Sequence, residues 1–177
     1  MTLNLFYLIG FMGTGKSSVG ISLANYLGYS YLDMDKMIED KQKCTINDIF
    51  ANQGEPVFRQ IESELLSHLS ETRKKSIIST GGGVILREHN IAVMRESGAI
   101  ILLTAEPETI IERLAGDHSR PLLQGDDKVA KVTALLGSRK EKYIQAADVI
   151  VKTDDRSIDN IVSEVIEKLK EKIPKMC

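Results

Sequence analysis

The stretch GFMGTGKSSVG, residues 10–20, decides the fold of this chain. It follows an apolar run and contains glycine, four residues, then Gly15, Lys16 and Ser17. Glycines let backbone N–H groups converge on an anion, and a following helix adds free N–H groups and the positive end of its dipole. In this pattern the lysine reaches the terminal phosphates and the hydroxyl binds Mg²⁺. The stretch predicts a nucleotide-binding P-loop at residues 10–18; the alternative is a plain glycine-rich turn with a solvated lysine.

Short apolar runs recur along the chain between helical patterns. These runs are Leu5–Ile9, Tyr29–Leu32, Ser76–Ser79, Ala99–Leu103 and Val149–Val151. Most are continuously apolar rather than alternating, as expected for parallel strands that are buried on both faces. Strands that alternate with helices favour an α/β fold around a parallel sheet with right-handed crossovers.

Apolar periodicity and capping signals predict several of the helices. The last helix has apolar residues with helical spacing, which are Ile158, Ile161, Val162, Val165, Ile166 and Leu169. Another begins near Pro56, with an apolar side formed by Val57, Phe58, Ile61, Leu65 and Leu69. Thr45 is typical of the residue that caps a helix, and predicts a short helix through Phe50.

Composition restricts the class of protein. A length of 177 residues and a net charge of −2 indicate one domain, residues 1–177, with no general attraction to nucleic acid or to an anionic membrane. The N-terminus has no signal-peptide pattern, and no stretch is apolar enough to span a bilayer. Cys44 and Cys177 form no CxxC pair, which indicates ordinary thiols in a reducing compartment. We therefore expect a cytoplasmic protein.

Two aspartates follow the second predicted strand. Asp33 and Asp35 are two positions apart, so on an extended segment both side chains leave from the same face. In a doubly wound sheet that strand end opens onto the ligand crevice. One carboxylate could hold a Mg²⁺-bound water, and the other could accept the proton of an attacking hydroxyl. Alternatively, either aspartate caps the helix that begins at Lys36.

A glycine run and three arginines add further candidates. Residues 79–83, STGGG, follow the third strand and allow close backbone approach to a ligand, although glycine runs also form plain turns. No acidic residue ends that strand, so Asp33 is left as the carboxylate for the metal. Arg59, Arg120 and Arg139 could together hold a carboxylate or phosphate, whereas a lone arginine is usually solvated.

The motifs of this chain, taken together, resemble those of the shikimate kinase family. The motifs, in family order and spacing, are GFMGTGKSSVG, DMDKMIE, TINDIF, GEPVFRQIE, STGGGVILRE, RPLL and SRKEKYIQAAD. The resemblance runs from about Leu5 to Arg156. It implies a three-layer P-loop kinase fold with a five-stranded parallel sheet in the order 2-3-1-4-5. It also implies MgATP-dependent phosphorylation of the 3-hydroxyl of shikimate, in the route to aromatic amino acids.

The resemblance implies a role for each residue that matches a family motif. For the ATP phosphates it implies Gly13, Thr14, Gly15, Lys16, Ser17 and Ser18. For shikimate it implies Asp35, Arg59, Gly82 and Arg139, within a substrate-binding region at about 33–62. For Mg²⁺ it implies Ser17 as a ligand and Asp33 through water. For catalysis it implies Asp35, Lys16 and Arg120, the last in a lid at about 115–127, and for the adenine it implies Arg113 and Arg156.

The chain departs from the family at a few positions. Ser18 stands where threonine is common, and Ile21 stands where a basic residue is usual. The lid is short, and two aspartates directly precede Arg156.

Two function classes follow from these observations. The first is a small-molecule kinase acting on shikimate, with gluconate kinase or another hydroxyl-phosphorylating relative as the alternative. The second is a regulatory module that hydrolyses or senses ATP, which would not need Asp35 and an arginine set beyond the phosphate site. We expect a monomer with a small-molecule substrate and no nucleic-acid or membrane partner.

Overall fold

The computed structural model of the chain describes residues 4–115 and 128–172. Within these ranges the strands are β1 (Leu5–Ile9), β2 (Ser30–Asp33), β3 (Ser76–Ser79), β4 (Ala99–Thr104) and β5 (Val149–Lys152). The helices are α1 (Lys16–Leu27), α2 (Met34–Gln42), α3 (Ile46–Gln53), α4 (Glu55–Thr72), α5 (Glu88–Ser97), α6 (Pro107–Arg113), α7 (Lys128–Ala146) and α8 (Ile158–Lys172), with a 3-10 turn at Val84–Leu86. Residues 116–127 lie outside the described residues. They include all of the predicted lid except Ala115, and they include Arg120.

The described strands form one parallel sheet in the order β2-β3-β1-β4-β5. β1 is central: Leu5 lies opposite Ser76 of β3, and Phe6 lies opposite Ala99 of β4. The order reverses beside β1, because the chain moves first to one side of it and then to the other. Ligands of open α/β sheets bind at the carboxyl ends of the strands at such a switch point. The predicted fold is confirmed, and the P-loop directly follows β1.

Alternate residues of β1 point into two cores, one on each face of the sheet. Tyr7 and Ile9 pack with side chains of α2, α4, α5 and α7 on one face. Phe6 and Leu8 pack with side chains of α1 and α8 on the other face. Burial of apolar area on both faces contributes about 25 cal/mol per Å² and holds the P-loop between two helical layers.

One edge strand and two helical residues are more exposed to solvent than the sequence predicted. β5, at one edge of the sheet, alternates buried and exposed residues instead of being buried throughout. Val57 and Ile158 were expected on buried helix faces, but they are 38% and 42% exposed. Both stand in the first turn of their helix, where a side chain has packing partners on fewer sides. Across the described ranges, no helix combines the length and apolarity needed to cross a membrane.

The predicted cap at Thr45 is confirmed, and it sets the start of α3. The Asp48 N–H donates to Thr45 Oγ1 at 3.1 Å, and the Thr45 N–H donates to Asp48 Oδ2 at 3.0 Å, which is a capping box. The side-chain and backbone hydrogen bonds from Thr45 lower the pKa of Asp48. α3 runs beyond the predicted end at Phe50, to Gln53.

Thr45→Ala is expected to destabilise the protein by about 1 kcal/mol, because it leaves the first-turn N–H of Asp48 without its acceptor. Since the pKa of Asp48 is lowered, its share of the stabilisation is present above the ordinary carboxyl pKa and is lost as the pH falls through the lowered value. Urea unfolding at neutral and acid pH measures both effects. Thr72→Ala, at an exposed threonine in the last turn of α4, is the matched control and should change the free energy of unfolding by less than about 0.5 kcal/mol.

Candidate active site

The P-loop joins β1 to α1 with the geometry of an anion-binding turn. Gly15 caps α1 with φ of 90°, a left-handed conformation that favours glycine, and no side chain caps the helix start. The first N–H groups of α1 are therefore available to an anion. Lys16 Nζ donates to the carbonyls of Gly10 and Phe11 at 2.9 and 3.0 Å, so the ammonium lies across the loop itself.

A cavity of about 370 Å³ lies over this loop. It is lined by most of the residues predicted for phosphate, metal and catalysis: Gly13, Gly15, Lys16, Ser17, Ser18, Asp33 and Asp35. Gly82, predicted for shikimate, and Arg113, predicted for the adenine, also line it. Thr14 is the exception in the loop, because its side chain is buried and donates to the Phe11 carbonyl at 2.7 Å. The volume lies in the range of small-molecule sites. The fold therefore brings the P-loop and the aspartate pair to one cavity.

Both aspartates line that cavity, but the backbone conformation that places them there differs from the predicted one. Asp33 is the last residue of β2 and caps α2, accepting from the Lys36 N–H at 3.2 Å. Asp35 lies in the first turn of α2, so the expectation of two side chains on one face of an extended segment is wrong. The strand ends between them, and the turn of the helix returns Asp35 to the cavity. The helix-cap reading is correct for Asp33, which also faces the cavity.

The oxygen donors around Ser17 fit a magnesium ion. Mg²⁺ prefers carboxylate, hydroxyl, phosphate and water oxygens. The Ser17 side chain and the Asp33 carboxylate both line the cavity. Asp33 Oδ2 accepts from the Tyr31 hydroxyl at 3.1 Å, and each carboxylate oxygen can accept more than one hydrogen bond. Asp33 can therefore cap α2 and still accept from a metal-bound water. Among the described residues, no group of three His, Cys, Asp or Glu side chains forms a protein-only metal site.

A second, smaller cavity adjoins the first. Its lining combines charged, aromatic and glycine residues: Met12, Asp35, Ile46, Phe50, Phe58, Arg59, Gly81, Gly82, Gly83 and Arg139. Three of these residues, Met12, Asp35 and Gly82, also line the cavity over the P-loop. Asp35 is the acidic residue at the junction. A ligand in the second cavity would thus meet the phosphate cavity beside a carboxylate.

Arg59, in α4, is held in a fixed orientation. Its Nε and Nη2 donate to Glu55 Oε1 at 3.0 and 2.9 Å, and its Nη1 donates to Glu62 Oε2 at 2.9 Å. The guanidinium carbon lies 5.0 Å from the ring centre of Phe58 and 6.0 Å from that of Phe50. A planar guanidinium fixed by carboxylates and rings keeps its remaining N–H groups in one plane, which suits a carboxylate ligand.

Burial and charge set the protonation of this cluster. Burial lowers the pKa of Arg59, but the charges of Glu62 and Glu55 and their hydrogen bonds outweigh it, so the pKa is raised. Burial raises the pKa of Glu62, against the opposing effect of Arg59. One oxygen of Glu62, Oε1, has no hydrogen-bond partner among the described residues. Arg59 therefore stays cationic in the second cavity.

The glycine turn after β3 is shaped by these side chains. A Cβ on Gly83 would overlap the Arg59 guanidinium, and a Cβ on Gly81 would lie 2.7 Å from Glu62 Oε1 and 2.8 Å from Asp35 Oδ1. A side chain at either position would therefore displace the Arg59, Glu62 or Asp35 side chain. Gly82 has more room, since the nearest atoms to its Cβ position are 3.6 Å away. Close approach of backbone to ligand, expected for the whole run, is sterically open at Gly82.

A family model, two relatives at about 40% identity and one solved structure share the name shikimate kinase. A family model described as shikimate kinase matches residues 12–170. A shikimate kinase from Symbiobacterium thermophilum is 42% identical, covering 93% of this chain and 95% of its own. A shikimate kinase from Moorella thermoacetica is 40% identical, covering 92% of each. The solved structure of a shikimate kinase from Acinetobacter baumannii in complex with shikimate has a TM-score of 0.92 at 33% identity, covering 97% of this chain and 96% of that one.

The chain belongs to the shikimate kinase family. The resemblance read from the motifs is confirmed by the family model and by relatives at about 40% identity over most of the chain. The kinase family uses ATP.

Two arginines predicted near the adenine of this kinase lie in different places. Arg113 lines the P-loop cavity and donates to the Gly13 carbonyl at 3.2 Å and to Thr153 Oγ1 at 3.0 Å. Arg156 instead pairs with Glu164 of α8 and lines a separate groove along that helix. The structure therefore brings Arg113, but not Arg156, to the cavity over the P-loop. Arg120 lies outside the described residues.

Several residues that shape the kinase site were not singled out from sequence. Glu55 and Glu62 flank Arg59 at helical spacings of four and three, a signal that could have identified them. Tyr31 donates to Asp33 from two positions earlier in β2, a same-face spacing that could have identified it. Tyr143 reaches Gly82 through a tertiary contact, for which the local sequence carries no signal. Thr153 is buried and links the ends of β4 and β5 to the P-loop by donating to the Thr14 carbonyl at 3.1 Å.

Proposed function

We propose that this protein transfers the γ-phosphoryl group of ATP to the 3-hydroxyl of shikimate, giving shikimate 3-phosphate and ADP, in the route to aromatic amino acids. Family membership supports this activity. The observation that carries it in the structure is the pair of adjoining cavities with Asp35 at their junction. A phosphoryl transfer needs a nucleotide and a hydroxyl acceptor side by side, with a carboxylate beside the hydroxyl.

On the nucleotide side, residues 13–18 and the start of α1 bind the phosphates, and Arg113 borders the nucleotide. Ser17 and Asp33 would hold Mg²⁺, directly and through water. Bound Mg²⁺ neutralises charge on the phosphates. Lys16 adds a positive charge where negative charge develops during transfer. Arg120, on the lid, is proposed to add a further positive charge.

On the acceptor side, Arg59 and Arg139 bind the shikimate carboxylate beside Gly82. Asp35 then orients the 3-hydroxyl and accepts its proton as the hydroxyl oxygen attacks phosphorus. The proposed enzyme is a monomeric, single-domain kinase. The proposed compartment is the cytoplasm. Closure of residues 115–127 is proposed to exclude water, which would otherwise compete with the hydroxyl.

A coupled ADP-release assay tests the function. The purified protein is given MgATP with shikimate, with gluconate, or with no acceptor. We expect ADP release that depends on shikimate, with a second measurement showing shikimate 3-phosphate in equal amount. Release with gluconate instead would indicate another acceptor, and equal release without acceptor would indicate an ATPase or sensor.

Arg59→Lys is expected to raise the KM for shikimate at least about tenfold, because hydrogen bonds to a charged group are worth about 1.5–3 kcal/mol and lysine lacks the planar pair of donors. The KM for ATP should change less than about twofold, since Arg59 does not line the cavity over the P-loop. Steady-state kinetics with each substrate varied in turn measures both. Arg95→Lys, at an exposed arginine of α5, is the control. A loss of ATP affinity with an unchanged shikimate KM would show that Arg59 serves the nucleotide.

A further inference from the structure

Tyr143 is a buried tyrosine beside the second cavity, which we call the acceptor cavity because it is the proposed site of the hydroxyl acceptor. It lies in α7 and is 3% exposed. Its hydroxyl donates to the carbonyl of Gly82. Arg139, one turn earlier in α7 and 6% exposed, donates Nη1 to the same carbonyl at 3.4 Å. One turn of α7 thus supplies both donors to one backbone oxygen of the glycine turn.

The phenol and Arg139 are coupled through the Gly82 carbonyl, to which both donate. The positive charge of Arg139 also acts on the phenol. Burial raises the pKa of Tyr143 to about 12, against the opposing effect of Arg139. The hydroxyl therefore remains protonated, and remains a donor, throughout the pH range of a kinase assay. An unpaired buried hydroxyl would be costly, so this bonding pattern holds the phenol in one place.

The position of this link gives it a role toward the ligand. Gly82 lines both cavities and Arg139 lines the acceptor cavity. Tyr143 is not in the lining of either cavity; it lines a separate apolar cavity with Phe11 and Leu102. Its contact with both cavities runs through the Gly82 carbonyl, which it shares with the Arg139 guanidinium.

We propose that Tyr143 is a positioning residue for the carboxylate-bearing substrate, fixing the Arg139 guanidinium and the Gly82 carbonyl as one unit. This inference rests on the proposed function. With phenylalanine at this position the ring still fills the core, but the Gly82 carbonyl loses the phenol donor and retains the longer contact with Arg139. The carbonyl that holds the Arg139 guanidinium is then less firmly fixed. The guanidinium then samples other orientations, and a bidentate contact with a carboxylate depends on a fixed orientation.

Tyr143→Phe is expected to raise both the KM and the calorimetric Kd for shikimate about five- to tenfold, the effect of roughly one hydrogen bond. The Kd for ADP and the shape of the pH profile should not change, since Tyr143 does not titrate in the assay range. Tyr7→Phe is the matched control, because Tyr7 is also buried and its hydroxyl hydrogen-bonds to Ser97 Oγ at 2.7 Å, away from both cavities. It should lower the Tm similarly while leaving shikimate affinity as in the unmodified protein.

The outcomes separate this inference from the proposed function. An unmodified protein that does not phosphorylate shikimate would reject the function. If the unmodified protein is active, equal shikimate affinities for Tyr143→Phe and Tyr7→Phe would overturn the role of Tyr143 alone. A third comparison uses Arg139→Lys: in that background, Tyr143→Phe should have less than about half of its effect on shikimate Kd, because it acts through the arginine. Full additivity would overturn the inference.

If Tyr143→Phe folds poorly, the role of Tyr143 can still be tested by fluorine NMR of the protein that retains this tyrosine. The chain has five tyrosines, which can be labelled with 3-fluorotyrosine. Phenylalanine variants at the other four positions assign the Tyr143 fluorine signal by elimination. Saturation with shikimate should shift that signal and leave the Tyr7 signal in place. A Tyr143 signal that does not respond to shikimate would contradict the proposed link.

Discussion

Replacing Lys16 with alanine is expected to lower kcat/KM for shikimate phosphorylation at least about a hundredfold, the usual effect of removing one donor aimed at developing charge. Lys16 lines the cavity over the P-loop, and its ammonium donates to the loop carbonyls of Gly10 and Phe11. Negative charge shifts between phosphate oxygens during transfer, and a fixed positive charge stabilises that state more than the ground state. ATP binding should weaken as well, because the same charge attracts the ground-state phosphates.

Two further variants separate charge from structure. Lys16→Met retains most of the side-chain length but removes the charge, so it should be as inactive as Lys16→Ala. Lys41→Ala, at an exposed lysine of α2, should have an unchanged rate. Both loop variants lose the hydrogen bonds to the loop carbonyls, so Tm values in the absence of ligand report any loosening of the loop. A folded Lys16→Ala protein that retains more than about a tenth of the rate would contradict the assigned role, since a tenfold effect is only about 1.4 kcal/mol.

The parts of the fold that could be predicted from sequence have causes within a few residues. β1 and β3 occur with the predicted bounds, because each is a short apolar run between turn residues. Thr45 caps α3 because the donor and the acceptor lie three residues apart in the chain. The P-loop was predictable for the same reason, since its glycines, lysine and serine act within one turn.

The parts that could not be predicted depend on contacts between distant segments. The sequence LDMDK is compatible with a strand that continues through Asp35 or with a helix that starts after Asp33, and the pairing of β2 with β3 ends the strand at Asp33. Tyr143 and Gly82 are 61 residues apart, so no local pattern records their hydrogen bond. Arg156 was assigned by motif position, but its pairing with Glu164, on the adjacent helix α8, directs it away from the cavity over the P-loop.

The three glycines predicted the turn after β3, but not the reason why side chains are absent there. The run was expected to allow close approach of a ligand along its whole length. Two of its positions instead accommodate the protein's own Arg59, Glu62 and Asp35 side chains. Composition shows that side chains are absent, whereas only the packing shows which neighbour occupies the space they leave.

Asp35→Asn is expected to lower kcat by about 10²–10⁴-fold, the usual range for loss of a general base or positioning carboxylate, while the KM for ATP changes little. Asp35 lies at the junction of the two cavities, so it can contact an acceptor hydroxyl next to the phosphates. A carboxylate can accept the hydroxyl proton, whereas an amide of the same shape cannot. Asp40→Asn, at an exposed position of the same helix, should leave kcat unchanged and is the control for helix effects.

Asp33→Asn is expected to act through Mg²⁺ instead. Asparagine caps helices about as well as aspartate, so the start of α2 should be preserved. The loss of charge should raise the Mg²⁺ concentration needed for half-maximal rate, and added metal should restore part of the activity. Mg²⁺ titrations of the rate, together with calorimetric titrations of Mg²⁺ in the presence of ADP, distinguish the two variants.

The difference between the two aspartates follows from where β2 ends. Asp33 is fixed by the Lys36 N–H and the Tyr31 hydroxyl, so its carboxylate is held in place as an acceptor beside Ser17. Asp35 stands in the first turn of α2 and faces both cavities. Rescue of Asp35→Asn by Mg²⁺, with no rescue of Asp33→Asn, would show that the roles are reversed. Rates within tenfold of the unmodified protein for both variants would show that neither carboxylate takes part in the transfer.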